Sequence, residues 1–250
     1  MTAPTSPRVV VIGAGPAGLR AVEVLARAGL RPVLIDEASR PGGQIYRQPP
    51  AGAERPPEAL YGLEAGKARA LHALPAELGA AIDYRPGTLA WAIEDTGIDL
   101  LGPKGFERLD FDRLILATGA MDRVLPFPGW TLPGVFTLGA AQIALKAQGM
   151  AIGARVALVG AGPLLPLIVH QYRKAGATVV AALDVTPFGA KVAALPGLLN
   201  EPATLAKGLW YTARNAMAGL SIRSGVAAVA VQGRDRVEAL VWRDAKGREH

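Results

Sequence analysis

Two short apolar runs, Val9-Val10-Val11-Ile12 and Val156-Ala157-Leu158-Val159, each lead straight into Gly-Ala-Gly-Pro, at 13–16 and again at 160–163. An unbroken apolar run ending in a glycine turn predicts a strand buried on both faces that feeds a helix. Behind each helix lies a further apolar stretch that ends in an acid, Glu37 in the first case and Asp184 in the second. A shift of 147 positions superposes the two copies. Arg27-Ala28-Gly29 then falls on Lys174-Ala175-Gly176, and each acid stands 24 residues after its first glycine. The pattern predicts two strand, turn, helix, strand units.

Between and after these units the periodicity changes. Leu60, Leu63, Leu71, Leu74 and Leu78 recur at mostly helical spacing, predicting one amphipathic helix over 57–79 with Pro75 near its end. From Ile82 to Asp110 three short β-like runs (88–93, 98–101, 106–109) alternate with glycine turns, as in an antiparallel meander. A strand over 111–116 follows and ends in the small residues Ala117-Thr118-Gly119. A Pro/Gly-rich connector begins at 123. Residues 201–220 predict another helix, with Leu205, Leu209, Met217 and Leu220 on its core side, and 222–242 predicts a second meander. Laying Ile82 on Ile222 pairs the two meanders. The first continues into the strand that ends at Gly119, whereas the second has no such continuation within the sequence. The expected fold class is therefore α/β: two Rossmann-like nucleotide-binding domains with parallel sheets plus antiparallel meanders, the second incomplete at its C-terminus. The expected boundaries are 1–122, a connector over 123–154, and 155–250.

The chemistry of the repeat follows from its geometry. Gly13 permits the sharp turn, Gly15 lets the backbone approach a pyrophosphate, and Gly18 allows close helix packing. Ala14, Pro16 and Ala17 complete a loop at a helix N-terminus, whose free N–H groups and partial positive charge favour phosphate. Glu37 is placed to accept hydrogen bonds from a ribose diol. Five residues beyond it, Gly42-Gly43-Gln44 lets the chain pass close to a planar ligand and supplies an amide to it. Thr118 and Gly119 lie where a backbone can pass near a cofactor. In the second copy Gly160, Gly162 and Asp184 are the corresponding candidates, but Leu165 and Pro166 stand where Gly18 and Leu19 stand in the first. A leucine there predicts a displaced helix or a reshaped loop. The Asp184 carboxylate favours a free 2′-hydroxyl over a 2′-phosphate, hence NAD or another adenine nucleotide over NADP. The residues alone do not separate FAD from NAD at the first site.

Composition narrows the chemistry further. Half the residues are apolar and 19% are charged, as in an ordinary globular α/β protein. The longest apolar run, 156–169, is interrupted by Gly160, Gly162, Pro163 and Pro166, so no transmembrane segment is expected, and the lack of a cleavage region points to a cytoplasmic chain. Cysteine is absent, which removes disulfide exchange, thiolate nucleophiles and cysteine-ligated clusters. Any electron carrier must therefore be a bound cofactor. The net charge of +6 arises from scattered Lys and Arg without aromatic interleaving, so no nucleic-acid partner is expected. No metal site and no catalytic acid or base stands out. His72 is expected to be structural or on the surface, His170 is given no role, and Trp210 and Tyr211 are expected to pack.

The strings GAGPAG, IDE, PGGQIYR, ATGAMDRVLPFPGWTLPGV and GAGPLL together resemble the FAD-binding subunit of bacterial heteromeric dehydrogenases of amino acids and opines, which includes opine oxidase, hydrogen cyanide synthase and dye-linked proline dehydrogenase relatives. The resemblance covers nearly the whole chain. It implies the two-dinucleotide-binding-domain flavoprotein fold of the glutathione and thioredoxin reductases. It also implies FAD at the first site, with Gly13, Gly15 and Gly18 at the pyrophosphate, Glu37 on the ribose, Gly42, Gly43 and Gln44 beside the cofactor, and Thr118 and Gly119 closing over it. The implied activity is an FAD-dependent oxidoreductase working with a second dehydrogenase subunit on a small amine or amino acid. Two alternatives stand beside it: an NADH-dependent flavoprotein reductase with a ferredoxin, quinone or dye acceptor, and a shortened, non-catalytic nucleotide-binding or assembly module. In the resembling family a Gly-Asp segment returns to the flavin, which this sequence lacks, so weakened FAD affinity is expected.

Overall fold

The computed structural model describes residues 6–53 and 55–250. They divide into two compact units, the first running to Met121 and including Lys146–Gln148, the second made of Asp122–Leu145 and Gly149–His250.

In the first unit, β1 (Val9–Ile12) enters α1 (Pro16–Arg27), which returns to β2 (Val33–Asp36). The helical stretch is not continuous: α2 (Pro57–Tyr61) gives way to a 3₁₀ turn at Gly62–Glu64 before α3 (Ala65–Leu78). Gly62 has φ +55, a left-handed conformation that cannot continue an α-helix, so the single helix expected from leucine spacing is two. Then come β3 (Asp83–Pro86), the meander β4 (Leu89–Ile93), β5 (Gly97–Gly102), β6 (Gly105–Asp110), and β7 (Arg113–Leu116). β3, β2, β1 and β7 form a parallel sheet in that order, with Val10 facing Val33 on one side and Leu114 on the other.

Strand alternation sorts the core into two faces. Val10, Ile12, Val33 and Ile35 pack on Ile98, Leu100 and Leu109 of the meander. Val11 and Leu34 face the opposite way, onto Leu19 and Val22 of α1 and Leu71 and Leu74 of α3. The sheet is thus covered on both sides, which is why its strands carry no polar alternation.

The second unit contains α4 (Leu138–Ala147) as far as Leu145, β8 (Arg155–Gly160), α5 (Leu164–Lys174) and β9 (Thr178–Asp184). Short helices α6 (Phe188–Ala193) and α7 (Leu195–Leu199) precede α8 (Pro202–Met217). β10 (Arg223–Ser224) pairs in parallel with β9, giving the order β10-β9-β8. β11 (Ala227–Gln232) and β12 (Ala239–Arg243) form an antiparallel hairpin. The second meander is therefore shorter than expected, because Arg223–Ser224 joins the parallel sheet. The Pro/Gly stretch read as a connector is packed in this unit. Pro128 O accepts Val231 N–H and Pro133 O accepts Val237 N–H, and a Cβ on Gly129 would lie 2.0 Å from Val231 O. Trp210 and Tyr211 of α8 pack edge-on and tilted against His170 of α5, the packing role expected for them. Among the described residues no helix is long and apolar enough to cross a membrane.

Candidate functional site

The first glycine loop is held by the strands around it. Gly13 has φ +107, its N–H donates to Ile35 O at 2.7 Å, and a Cβ there would lie 2.3 Å from Ala117 O. No side chain other than hydrogen fits. Ala14 N–H donates to Asp36 Oδ2 at 2.5 Å, and its carbonyl accepts Gly42 N–H at 2.8 Å. Gly15 is the N-cap of α1 with no side-chain cap, and Pro16 opens the helix with no N–H to lose. The opening N–H groups of the turn, at Ala17 and Gly18, have no partner within the helix. Gly18 is buried so tightly that a Cβ would sit 1.8 Å from Gly13 O.

The glycine pair closes against this loop. Gly43 has φ +60, and a Cβ on it would fall 2.8 Å from the Cα of Gly15. Gly42 (φ +124) is wedged between Tyr46 O and His72, whose Nε2 lies 2.8 Å from the same carbonyl. Burial pushes the His72 ring below its ordinary pKa, which favours the neutral form. His72 therefore anchors the segment after the glycine pair, a structural role in keeping with the one expected for it. Gln44 Nε2 donates to Ala120 O at 2.8 Å, tying this segment to the chain that carries exposed Thr118 and Gly119. Gly13, Gly15, Gly18, Gly42, Gly43, Gln44, Thr118 and Gly119 thus form one glycine-lined floor in the first unit.

The two adjacent acids at the end of β2 are used differently. Asp36 is the loop clamp: Oδ1 accepts Ala38 N–H at 2.7 Å while Oδ2 holds Ala14. Glu37 is exposed. Sequence spacing gave no sign of the work done by Asp36, because only the strand register reveals it.

In the second unit the register departs from the sequence shift. Ile12 faces Ile35, and its counterpart Val159 faces Leu183, but β9 carries an extra residue opposite Val156/Ala157. By the end of the strand the repeat is offset by 148, so Asp184 corresponds to Asp36 and Val185 to Glu37. Asp184 repeats the turn, its Oδ1 accepting Thr186 N–H at 2.8 Å. Its Oδ2 lies 2.6 Å from Lys191 Nζ, which also donates to Ser224 Oγ at 2.6 Å. Burial raises the Asp184 pKa, but the hydrogen bonds from Lys191 and Thr186 outweigh it and hold the carboxyl below its ordinary value. At the loop itself, Gly160 ends β8 and lies under Leu138, whose Cδ1 would be 2.7 Å from a Cβ placed there. Gly162 takes φ +71 with open space around it. α5 starts at Leu164, one position later than the repeat of Pro16, and Leu165 is fully buried among Ile168, Val169 and Ala141. The loop is reshaped and the leucine becomes core. Among the described residues no group of His, Asp or Glu is arranged to hold a metal.

Comparison with known proteins agrees with this architecture. A model of the family described as pyridine nucleotide-disulphide oxidoreductase matches residues 7–248. An opine oxidase subunit from Rhizobium meliloti is 35% identical over 258 residues, covering 96% of this chain and 47% of that protein. Hydrogen cyanide synthase subunit HcnB of Pseudomonas protegens is 32% identical, covering 92% of this chain and 50% of its own. The chain thus spans about half the length of the curated relatives it matches. The solved L-proline dehydrogenase from P. horikoshii aligns over 98% of this chain and 40% of its own, with a TM-score of 0.62 at 18% identity, and shows the same fold. By the extent of its match to the family model and its shared fold, the chain belongs to the pyridine nucleotide-disulphide oxidoreductase family.

Proposed function

We propose that the first unit binds FAD and that the chain is the flavin-binding part of an oxidoreductase that works with a second subunit on a small amine, amino acid or opine-like substrate. The observation that carries this reading is the approach of Gly43 to Gly15, where a Cβ would come within 2.8 Å of the opposing Cα. Two backbone segments free of side chains face each other at the N-terminus of α1, and exposed Glu37 stands at the end of β2. That donor set fits a pyrophosphate joined to a ribose.

In this reading Gly13, Ala14, Gly15, Pro16, Ala17 and Gly18 seat the pyrophosphate with backbone N–H groups and the helix dipole. Glu37 accepts from the adenosine ribose, and Gly42, Gly43, Gln44, Thr118 and Gly119 flank the rest of the cofactor. FAD-binding residues fall within 1–122, with 155–250 forming the second dinucleotide fold. When bound, FAD supplies an acceptor for the two electrons and two protons released as a carbon–nitrogen single bond is oxidised to an imine. The chain itself offers orientation and a glycine-lined floor. The relatives that support a partner are named as subunits, of opine oxidase and of hydrogen cyanide synthase. The test is reconstitution: purified protein is gel-filtered in buffer that contains FAD, so that a weakened affinity still registers, and its bound flavin is counted. One FAD bound per chain in the wild type, and loss of it in Gly43→Ala, is the expected result, whereas binding in both or in neither contradicts the reading.

A further inference from the structure

A lysine in the last turn of a helix ordinarily reaches into water or folds back onto the carbonyls that end its own helix. Lys146, in the last turn of α4, does neither. It is 6% exposed, and its Nζ donates to Ile45 O at 3.0 Å, across 101 residues of sequence and within the first unit. Among the described residues no carboxylate pairs with it. An ammonium buried against one neutral acceptor loses more hydration than that single bond returns, so the residue weakens the fold that contains it. Such a local conflict points to a use other than stability.

The acceptor shows where that use lies. Ile45 follows Gly42-Gly43-Gln44, two glycines that leave the backbone free to swing. The residues around Gly43 are each tethered to a different part of the unit: Gly42 N–H donates to Ala14 O, Gln44 Nε2 donates to Ala120 O, Lys146 holds Ile45 O, and His72 Nε2 lies 2.8 Å from Tyr46 O. Among the described residues Gly43 itself has no hydrogen-bond partner, so its closure on Gly15 depends on these flanking tethers. The Lys146 tether is the charged one, and a charge-assisted bond is the stronger kind. We propose that Lys146 is a positioning residue for the flavin: by holding the Ile45 carbonyl it keeps Gly43 closed on Gly15, although it weakens the fold. The inference rests on FAD binding by the first unit.

The experiment measures urea unfolding without ligand, and the FAD dissociation constant by the change in flavin fluorescence, for the wild type and Lys146→Met. Lys146→Met is expected to unfold at higher urea yet to bind FAD roughly tenfold more weakly at neutral pH. A side chain that merely supported the fold would move both quantities the same way. Burial sets the Lys146 pKa at about 8, and the ammonium is the form that holds Ile45 O best and attracts the pyrophosphate. The wild-type dissociation constant should therefore rise roughly fivefold as pH climbs through about 8, while that of Lys146→Met stays flat. The other ionisable groups around the tethered segment are Arg40, Tyr46, Arg47, Tyr61, Glu64 and His72, and α4 carries no other charge. Burial moves the two tyrosines up and His72 down, away from that range. A Lys146→Met protein less stable than the wild type, one that binds FAD equally well, or a wild-type affinity indifferent to pH overturns the proposal. A wild type that binds no FAD defeats the flavin reading together with this one, whereas equal binding by both proteins defeats only the role of Lys146.

Discussion

Gly43 stands so close to Gly15 that a Cβ on the former would be 2.8 Å from the Cα of the latter. Two segments 28 residues apart in sequence thereby make one surface, and at Gly43 there is no room for a side chain. The consequences can be tested at the backbone, without reference to catalysis.

Gly43→Ala combines a left-handed φ of +60 with a steric conflict against backbone. The conformation alone costs about 1–2 kcal/mol for an L-residue. Thermal denaturation should show the first unit destabilised by at least that amount, and flavin retention after gel filtration should fall.

The residues corresponding to the third glycine differ in kind between the units, so opposite changes should hurt. Gly18→Ala places a Cβ 1.8 Å from Gly13 O, an overpacking that costs about 1–3 kcal/mol. Leu165→Ala removes a fully buried side chain from the second core and should cost about 2–5 kcal/mol. Chemical denaturation of each variant measures both losses. A tolerated Gly18→Ala would mean that α1 is free to shift.

That second core also marks where sequence and structure part. The glycine repeat, the first meander and the strand before Gly119 were legible because each has a strong local signature: unbroken apolar runs, period-two alternation and glycine turns. β3 was not, since Asp83-Tyr84-Arg85-Pro86 has polar character and an internal proline, and becomes a strand only by pairing with β2. α4 was hidden inside a stretch dominated by Pro and Gly, and the break at Gly62 was masked by leucines that keep helical spacing across it. The correspondence of Asp184 to Asp36 depends on one extra residue in β9, which no single shift of the sequence reveals. Glycines needed for close approach were visible from sequence; the hydrogen-bond partners of acids required the register.

Lys146 is buried with its Nζ donating to Ile45 O at 3.0 Å, and burial lowers its pKa from 10.5 to about 8. The folded state binds the proton less tightly than the unfolded chain does. Stability should therefore rise as pH increases from about 8 toward 10.5. Lys146→Met, which removes the buried charge, should raise stability at neutral pH by about 1–3 kcal/mol and flatten that rise. Urea denaturation at a series of pH values checks the sign.

The Asp184 carboxyl titrates in the opposite sense. Its folded pKa is held below the unfolded value of 3.8, so the clamp contributes stability above that pH and loses it as acid protonates the group. Lys191→Met removes the ammonium and should move the acid-unfolding midpoint of the second unit upward. Circular dichroism followed on acidification gives the midpoint, and an unchanged value would mean that the Lys191 contact contributes nothing.

The most direct test of the central claim is the visible absorbance spectrum of the purified wild-type protein after gel filtration in FAD-containing buffer, read against that buffer, alongside Gly43→Ala. A protein-bound flavin spectrum at one FAD per chain in the wild type, absent or much reduced in the variant, is the predicted result. A wild type that carries no flavin above the buffer, or a variant that binds flavin equally well, would contradict the assignment of the Gly15–Gly43 floor as the flavin site.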